Sequence, residues 1–106
     1  MISSDTMRGY NDTIILAILA SGPSYGYEIS KTIKERSQEK YVIKETTLYS
    51  AFNRLQKNGY IRPFTAENQS LKRRTYFAIT PRGEAFLKEK IQEWRTTQEV
   101  VDAFIE

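Results

Sequence analysis

Hydrophobic and polar positions follow a helical spacing most clearly in residues 45–59. Four apolar side chains of this stretch fall at i, i+3, i+4 and i+7, namely Leu48, Ala51, Phe52 and Leu55. This spacing predicts an amphipathic helix, with Gly59 as the residue that follows its C-cap. Seven polar residues would share the opposite face, namely Thr46, Thr47, Tyr49, Ser50, Asn53, Arg54 and Lys57. Only Glu45 is acidic, so this face suits contacts with base edges or phosphates.

The segment after this helix contains two β-like runs, at residues 60–64 and 75–79, which predict a hairpin with its turn at residues 66–71. The tip ends in three basic residues, Lys72, Arg73 and Arg74. Pro63 cannot donate to a ladder, so it should lie on an edge strand or at a bulge. A helix followed by a basic-tipped hairpin predicts a winged helix-turn-helix, a mainly α (α+β) fold that reads DNA.

Two further helices are predicted ahead of the amphipathic helix. Residues 13–20 are apolar on nearly every side, which favours a buried helix, and Asn11 or Asp12 would cap it. Ser24 would cap a support helix through about residues 25–36. These helices would complete the helix-turn-helix.

Two shorter segments carry weaker patterns. Residues 1–10 show no clear periodicity and are expected to form a partly ordered arm, whose Arg8 touches either a phosphate or nothing. Residues 40–44 alternate polar and apolar side chains. A short third strand there would support the hairpin, which is marginal in water when it stands alone.

A long C-terminal helix is predicted from Pro81, with Thr80 as its cap. A heptad seam follows along it, formed by Leu87, Ile91, Trp94, Gln98, Val101 and Ile105. About 25 helical residues would extend about 37 Å, further than so small a domain covers, so the seam predicts a homodimer. The chain would then divide into a DNA-binding domain, residues 1–80, and a dimerisation helix, residues 81–106.

Charge is distributed unevenly along the chain. Residues 1–81 carry 12 Lys and Arg against 7 Asp and Glu, whereas residues 82–106 carry 4 against 6. A basic body of this kind suits a polyanionic partner such as double-stranded DNA.

The chain contains no His and no Cys. Imidazole bases, thiolate nucleophiles and the common zinc sites are therefore excluded, and we expect no enzyme activity, no cofactor and no metal. No apolar run approaches the roughly 20 residues that a membrane span needs, and residues 1–10 lack the apolar core of a signal peptide. A cytoplasmic protein without a membrane partner is expected.

The order of several motifs across about residues 8–95 resembles that of the PadR-like transcriptional regulators. The motifs are Tyr25-Gly-Tyr-Glu-Ile29, Thr46-Thr-Leu-Tyr49, Arg54-Leu55, Gly59-Tyr-Ile61, Arg73-Arg74-Thr-Tyr76 and Ile79-Thr-Pro-Arg-Gly83. The resemblance implies a homodimer that represses promoters at a palindromic operator and exchanges its last helix between subunits. A single C-terminal helix is similar to the smaller subgroup of the family. Residues 68–74 depart from the family pattern because they contain no glycine, and Ser50 stands where proline is frequent.

Candidate DNA contacts lie on three elements. The support helix would offer Tyr25 and Lys31 to the DNA backbone. The amphipathic helix would contact bases or phosphates through Thr46, Thr47, Ser50 and Asn53. The hairpin tip would contact phosphates or a minor groove through Lys72, Arg73 and Arg74.

Three further candidates on the amphipathic helix have two interpretations each. Arg54 and Lys57 would either touch phosphates or pair with local acids. Tyr49 would either reach a phosphate or pack in the core. The whole domain also has a competing interpretation, a winged-helix module that binds proteins and shows no salt-sensitive binding to DNA.

Trp94 has two interpretations as well. A tryptophan in a heptad seam is most simply part of a dimer core. In some small PadR-like regulators, an aromatic residue at this place lines a pocket at the dimer interface that accepts flat, apolar drugs. The resemblance therefore also implies a small aromatic effector at Trp94, and Gln98, one turn further on, would give a cationic ligand no countercharge.

Overall fold

A computed structural model describes residues 1–105 as five helices and one three-stranded sheet. The elements are α1 (Ser4–Met7), α2 (Asn11–Ala20), β1 (Ser24–Tyr25), α3 (Gly26–Arg36), α4 (Glu45–Lys57), β2 (Ile61–Glu67), β3 (Arg73–Ile79) and α5 (Pro81–Ile105). The strands are antiparallel in the order β1-β3-β2. The predicted mainly α fold with a hairpin wing is confirmed.

One hydrophobic core joins the helices to the sheet. α2 packs against α3, α4, α5 and β3, which buries Ile15, Leu16 and Leu19. The predicted apolar stripe of α4 is buried along its whole length, and its Phe52 ring stacks on Phe77 of β3 at a centroid distance of 4.3 Å. Each fully buried side chain of this size contributes about 1.5–3 kcal/mol. The core therefore fixes which face of α4 points outward.

The junction of α4, β2 and α5 follows the predicted turn chemistry. Gly59 ends α4 with a φ of +77°. Thr80 Oγ1 accepts a hydrogen bond from the Gly83 N–H at 3.0 Å and donates one to the Gly59 carbonyl oxygen at 2.6 Å. Gly83 lies so close to Tyr60 that an added Cβ would be 2.0 Å from the Tyr60 carbonyl oxygen. The first turns of α5 are thus packed directly on the body of the fold.

The predicted N-cap of α2 is wrong. The helix begins at Asn11 itself, after Tyr10. Both predicted capping side chains bind groups that are remote in sequence. The Tyr41 hydroxyl donates to Asn11 Oδ1 at 2.6 Å, and Asp12 pairs with Arg54.

The third strand lies at Ser24–Tyr25, so the prediction of a strand at residues 40–44 is wrong. Ser24 pairs with Phe77 in the ladder, and α3 starts two residues later. Ser24 is therefore not the N-cap of that helix, and its hydroxyl donates to Glu28 Oε1 at 2.5 Å. Residues 40–44 are irregular: Tyr41 and Ile43 are buried in the helical core, whereas Val42 between them is exposed.

Residues 1–10 are more ordered than the absence of periodicity predicts. They include α1, and Met7 of that helix packs against the core. The Ile2 N–H also donates to the Lys40 carbonyl oxygen at 2.7 Å. The arm is therefore attached to the connection between α3 and α4.

α5 has the predicted length and leaves the body about one third of the way along. Leu87 is buried in the core, whereas Ile91, Trp94 and every later residue through Ile105 except the half-buried Thr97 are exposed. The molecule accordingly measures 51 × 30 × 21 Å. No helix in residues 1–105 is both long and apolar enough to cross a membrane.

Candidate nucleic-acid interface

The polar face of α4 points away from the core. This orientation follows from burial of the apolar stripe, since the two faces of an amphipathic helix are opposite. Six of the predicted residues are exposed, namely Thr46, Tyr49, Ser50, Asn53, Arg54 and Lys57, and Thr47 is half-buried. α4 therefore presents one continuous polar surface.

An open cavity of about 360 Å³ lies where the first half of α4 meets the start of α2. α4 lines it with Thr46, Thr47, Ser50 and Arg54, and the opposite wall consists of Arg8, Gly9, Asn11 and Asp12. Hydroxyl, amide and charged groups thus surround a space that is open to solvent. Neither here nor elsewhere in residues 1–105 do three metal-ligating side chains gather.

Arg54 pairs with an acid in this cavity. Its Nε donates to Asp12 Oδ2 at 3.0 Å and its Nη2 donates to Asp12 Oδ1 at 2.5 Å. Two parallel bonds make this a strong form of arginine–carboxylate pairing. The hydrogen bond to Asp12 also raises the pKa of the Arg54 guanidinium above its ordinary value. Of the two interpretations of Arg54, the structure shows pairing with an acid, which lies close in space on α2.

Asp12 belongs to this surface, although its sequence context predicted only a helix cap. Its carboxylate binds an arginine that lies 42 positions further along the chain. No local spacing connects two residues so far apart. The only available signal was the exposed arginine itself, which needed either a phosphate or an acid.

Tyr49 packs partly in the core and remains partly exposed. Its ring meets Phe52 edge-on at a centroid distance of 5.4 Å, and about half of the side chain is accessible. A Cβ added to Gly26 would lie 2.6 Å from the Tyr49 hydroxyl oxygen. Gly26 at the start of α3 therefore provides the space that Tyr49 occupies.

The glycine-free wing closes through an asparagine side chain. Asn68 Oδ1 accepts hydrogen bonds from the N–H groups of Ser70 and Lys72, both at 3.0 Å. Leu71 supplies the left-handed residue of the turn, with a φ of +62°. Asparagine can stabilise a turn in this way without glycine. The hairpin is confirmed, and its turn lies between β2 and β3 at residues 68–72, slightly later than predicted.

The three basic residues of the wing are exposed but do not all point the same way. Arg73 and Arg74 are consecutive residues of β3, and consecutive side chains of a strand point to opposite faces. Arg74 lines an open cavity of about 460 Å³ together with Tyr27 and Tyr49. Arg74 is therefore the wing cation that shares a surface with α4.

The two candidates at the support helix lie in different surroundings. Tyr25 is half-buried, its ring packs on Tyr76 at 5.1 Å, and it lines the same cavity as Tyr49. Tyr76 in turn stacks on Phe64 at 5.6 Å, so an aromatic row crosses all three strands. Lys31 is exposed and lines a separate cavity that includes no residue of α4. The structure brings Tyr25, but not Lys31, beside the polar face of α4.

The exposed apolar surface near the end of α5 is wider than the predicted seam. Ile105 belongs to the seam and is 73% exposed, whereas Phe104 lies outside it and is 83% exposed. Val100, one turn before Phe104, is exposed as well. The i, i+4 spacing of Val100 and Phe104 is the sequence signal for this second stripe.

Trp94 lies where the body and the free part of α5 meet. Its ring meets Tyr10 edge-on at a centroid distance of 5.1 Å, a geometry that stabilises aromatic pairs beyond simple burial. About 40% of the side chain is still accessible. Trp94 is therefore partly packed within its own chain, and the exposed Gln98 follows it one turn further on.

Comparison with known sequences places these elements in context. The sequence profile of the transcriptional regulator PadR-like family matches residues 15–89, a span that includes all of α4 and the wing. The chain is also 40% identical over 106 residues to an uncharacterized protein of Lysinibacillus sphaericus. That match covers 100% of this chain and 97% of the relative.

Solved structures show the same architecture. A transcriptional regulator from Clostridium thermocellum is 56% identical, with a TM-score of 0.91 and complete coverage of both chains. A PadR family transcription regulator from Clostridium difficile is 37% identical, with a TM-score of 0.80 over 92% of this chain and 99% of that one. A PadR-like transcriptional regulator from Bacillus cereus is 25% identical, with a TM-score of 0.84 over 97% of this chain and 98% of that one. All three are regulators of transcription.

Proposed function

This chain belongs to the PadR-like family of transcriptional regulators, and from that premise we propose that it is a homodimeric repressor of a two-fold symmetric operator. One observation carries this proposal: Tyr49 of α4 and Arg74 of the wing line the same open cavity. An exposed polar helix beside a basic strand suits duplex DNA, with the helix in the major groove and the strand along the backbone.

We assign base contacts to the exposed polar face of α4, chiefly to its first half. Helix-turn-helix proteins usually reach base edges from that half of the recognition helix. The residues are Thr46, Thr47, Ser50 and Asn53. The amide of Asn53 can form two hydrogen bonds with adenine, and the hydroxyls are compatible with several bases.

We assign contacts with the DNA backbone to two tyrosines and five cations, of which Tyr25, Tyr49 and Arg74 line one cavity beside this face and Lys31 lies apart from it. They are Tyr25, Lys31, Tyr49, Lys57, Lys72, Arg73 and Arg74. Within residues 1–105, none of the five cations among them pairs with an acid. A free cation that meets a phosphate releases a counterion, so these contacts predict affinity that falls steeply with salt.

We assign dimerisation to α5. Its apolar residues beyond Trp94 are exposed in the single chain, and the same helix of a second copy would cover them about a two-fold axis. Such a dimer would place two recognition helices about 34 Å apart, which is one turn of DNA. Two half-sites of a palindrome would then be bound together.

The proposed effector site is Trp94. A flat, apolar ligand would stack on the accessible part of the indole at the dimer interface, beside the Tyr10 ring. Binding there would change the separation of the two α4 helices and so relieve repression.

Selection of bound sequences from random duplex DNA at moderate salt tests the proposal. We expect one palindromic site whose half-sites are about 10 base pairs apart, centre to centre. A chain that recovers no sequence, and whose binding to DNA is insensitive to salt, would instead support the protein-binding module.

The selected site then tests the base contacts. Asn53→Ala and Thr47→Ala should each weaken binding to that site by about 1–3 kcal/mol and weaken binding to random DNA less, because only a base contact is sequence-specific. Gln92→Ala truncates an exposed amide on α5 and should leave both affinities unchanged. Equal losses of affinity for the selected site and for random DNA would show that Asn53 and Thr47 contact the DNA backbone instead of bases.

A further inference from the structure

We infer that Asp12 is a specificity-determining residue, because it holds Arg54 in an ion pair and thereby keeps that cation from binding phosphates of any sequence. The inference rests on the proposed DNA-binding function. It concerns an acid on α2 that makes no proposed contact with DNA itself.

The geometry of the pair makes Arg54 a compensated charge. Both carboxylate oxygens of Asp12 accept hydrogen bonds from the one guanidinium, at 3.0 and 2.5 Å. The Asp12 side chain is 19% exposed, whereas that of Arg54 is 51% exposed. The acid is therefore sheltered against the body, and the cation stands at the surface with its charge already neutralised.

The other ion pair beside this cavity is of a different kind. Arg8 and Asp5 pair through one bond at 2.7 Å, and both side chains are more than 80% exposed. Solvated pairs of this type are weak and exchange readily with water. Arg8 can therefore turn to a phosphate, whereas Arg54 is held by two bonds to a largely buried partner.

The position of the pair explains why its charge matters for specificity. Arg54 lines the same cavity as Thr46, Thr47 and Ser50, which are proposed to contact bases. A free arginine there would meet the nearest phosphate on any DNA, and each phosphate neutralised adds about 0.9 to the slope of log K against log salt. If the pair opened, the Asp12 carboxylate would be left unpaired near phosphates, which repel it. On the correct site the base contacts fix the position of α4, whereas on random DNA the protein can take whichever position places a free arginine against a phosphate. The closed pair therefore lowers affinity for random DNA more than affinity for the correct site.

Asp12→Asn in the full chain tests the inference, since it removes the charge and keeps the shape. Binding to a random duplex, measured by fluorescence anisotropy over a salt series, should strengthen about three- to tenfold. Its slope should steepen by up to about 0.9 per subunit. The ratio of affinities for selected and random DNA should fall by a similar factor. A purely structural role of Asp12 would not steepen the slope.

Glu93→Gln is the matched control. It changes the net charge by the same amount and breaks a pair with Lys90 on α5, in which Lys90 Nζ lies 3.3 Å from Glu93 Oε1. We expect no change of slope from it. If Asp12→Asn strengthens random binding no more than Glu93→Gln does, the effect is one of overall charge and the inference is wrong.

Arg54→Gln keeps the inference testable if Asp12→Asn fails to fold. A cation that is already withheld releases no counterion, so this variant should retain the wild-type slope, whereas the unpaired Asp12 carboxylate should weaken binding to random DNA. The double variant should lose the increase that Asp12→Asn produces. A slope that falls by about 0.9 in Arg54→Gln alone would show that Arg54 already binds phosphate and would overturn the inference.

The failure of the inference can be distinguished from the failure of the proposed function. If the wild-type protein binds neither selected nor random DNA, both are wrong. If the wild-type protein binds DNA normally and Asp12→Asn leaves the slope unchanged, only the inference is wrong.

Discussion

α4 and α5 are both amphipathic helices, but only α4 buries its whole apolar stripe within its own chain. The four apolar residues of α4 are at most 2% exposed. In α5, Leu87 is the last buried residue, and Phe104 and Ile105 are 83% and 73% exposed. Apolar periodicity shows which face of a helix must be buried, but it does not show whether the residues that bury this face belong to the same chain. α4 lies between α2 and the sheet, whereas α5 extends beyond the body.

Removing residues 90–106 is the strongest test of this difference. The chain that ends at Glu89 keeps Gly83 and Leu87 and loses the exposed stripe, so we expect a folded monomer. Operator affinity should fall by about 10²- to 10⁴-fold, because one molecule no longer binds both half-sites. Sedimentation velocity, far-ultraviolet circular dichroism and titration of operator DNA measure the three outcomes.

Val101→Glu provides the same test without deletion, since a charge in the stripe would be buried in the dimer. A monomer with unchanged circular dichroism is expected. If the shortened chain still sediments as a dimer and binds the operator normally, α5 is not the interface and the effector role of Trp94 fails with it.

Gly83→Ala should affect the body rather than the interface. The added Cβ would lie 2.0 Å from the Tyr60 carbonyl oxygen and 2.8 Å from Ile79 Cγ1, so α5 must move away from the hairpin. We expect the free energy of unfolding to fall by about 3 kcal/mol, measured by urea denaturation. Lys88→Ala, at an exposed position of the same helix, should change it by less than about 0.5 kcal/mol. Equal stability of the two variants would contradict the close packing at Gly83.

Replacing Lys72, Arg73 and Arg74 by Ala should remove charge from the body without affecting dimerisation. If each cation neutralises one phosphate, the slope of log K against log salt should flatten by up to about 3 units per subunit. Asn68→Ala keeps the charges but removes the hydrogen bonds that close the turn, so it should produce part of the same effect. An unchanged slope in the triple variant would exclude phosphate contacts at the wing.

The smallest expected effect concerns Tyr41, which attaches the connection before α4 to α2. Burial raises the pKa of Tyr41 above the ordinary value of 10.0. A raised pKa in the folded state means that the associated contribution to stability is complete below pH 10 and is lost as the pH rises further.

Tyr41→Phe should lower the free energy of unfolding by about 1 kcal/mol near neutral pH and should reduce this loss at alkaline pH. Urea denaturation between pH 8 and 11 measures both, with the exposed Tyr27→Phe as control. An alkaline loss that is the same in Tyr41→Phe and wild type would contradict the assignment.

The elements that sequence analysis predicted correctly are specified by residues close together in the chain. The stripe of α4, the left-handed Gly59 after it, and the start of α5 at Thr80 and Pro81 all depend on neighbours within about two helical turns. Pro63, predicted on an edge strand or at a bulge, lies on the edge strand β2. Local spacing was sufficient in each case because the physical cause is local.

The predictions that failed concern polar side chains with remote partners. Asn11 and Asp12 have good capping side chains, but Tyr41 and Arg54 bind them from 30 and 42 positions away. Ser24 likewise pairs with Phe77 of β3, so the third strand lies there. No pattern within one element predicts such contacts. The assignments of individual DNA-contacting residues, of the dimer seam and of Trp94 as an effector site stay predictions.

The edge position of β2 has a further consequence, for the behaviour of the protein in concentrated solution. An unpaired strand is a template on which strands of other molecules can add, and this is one route to fibrils. Pro63 stands opposite Phe77 near the middle of β2, and it offers no N–H to an incoming strand. The exposed charge of Arg62 lies beside it. Pro63 and Arg62 therefore disfavour the addition of another molecule's strand at this edge of the wing.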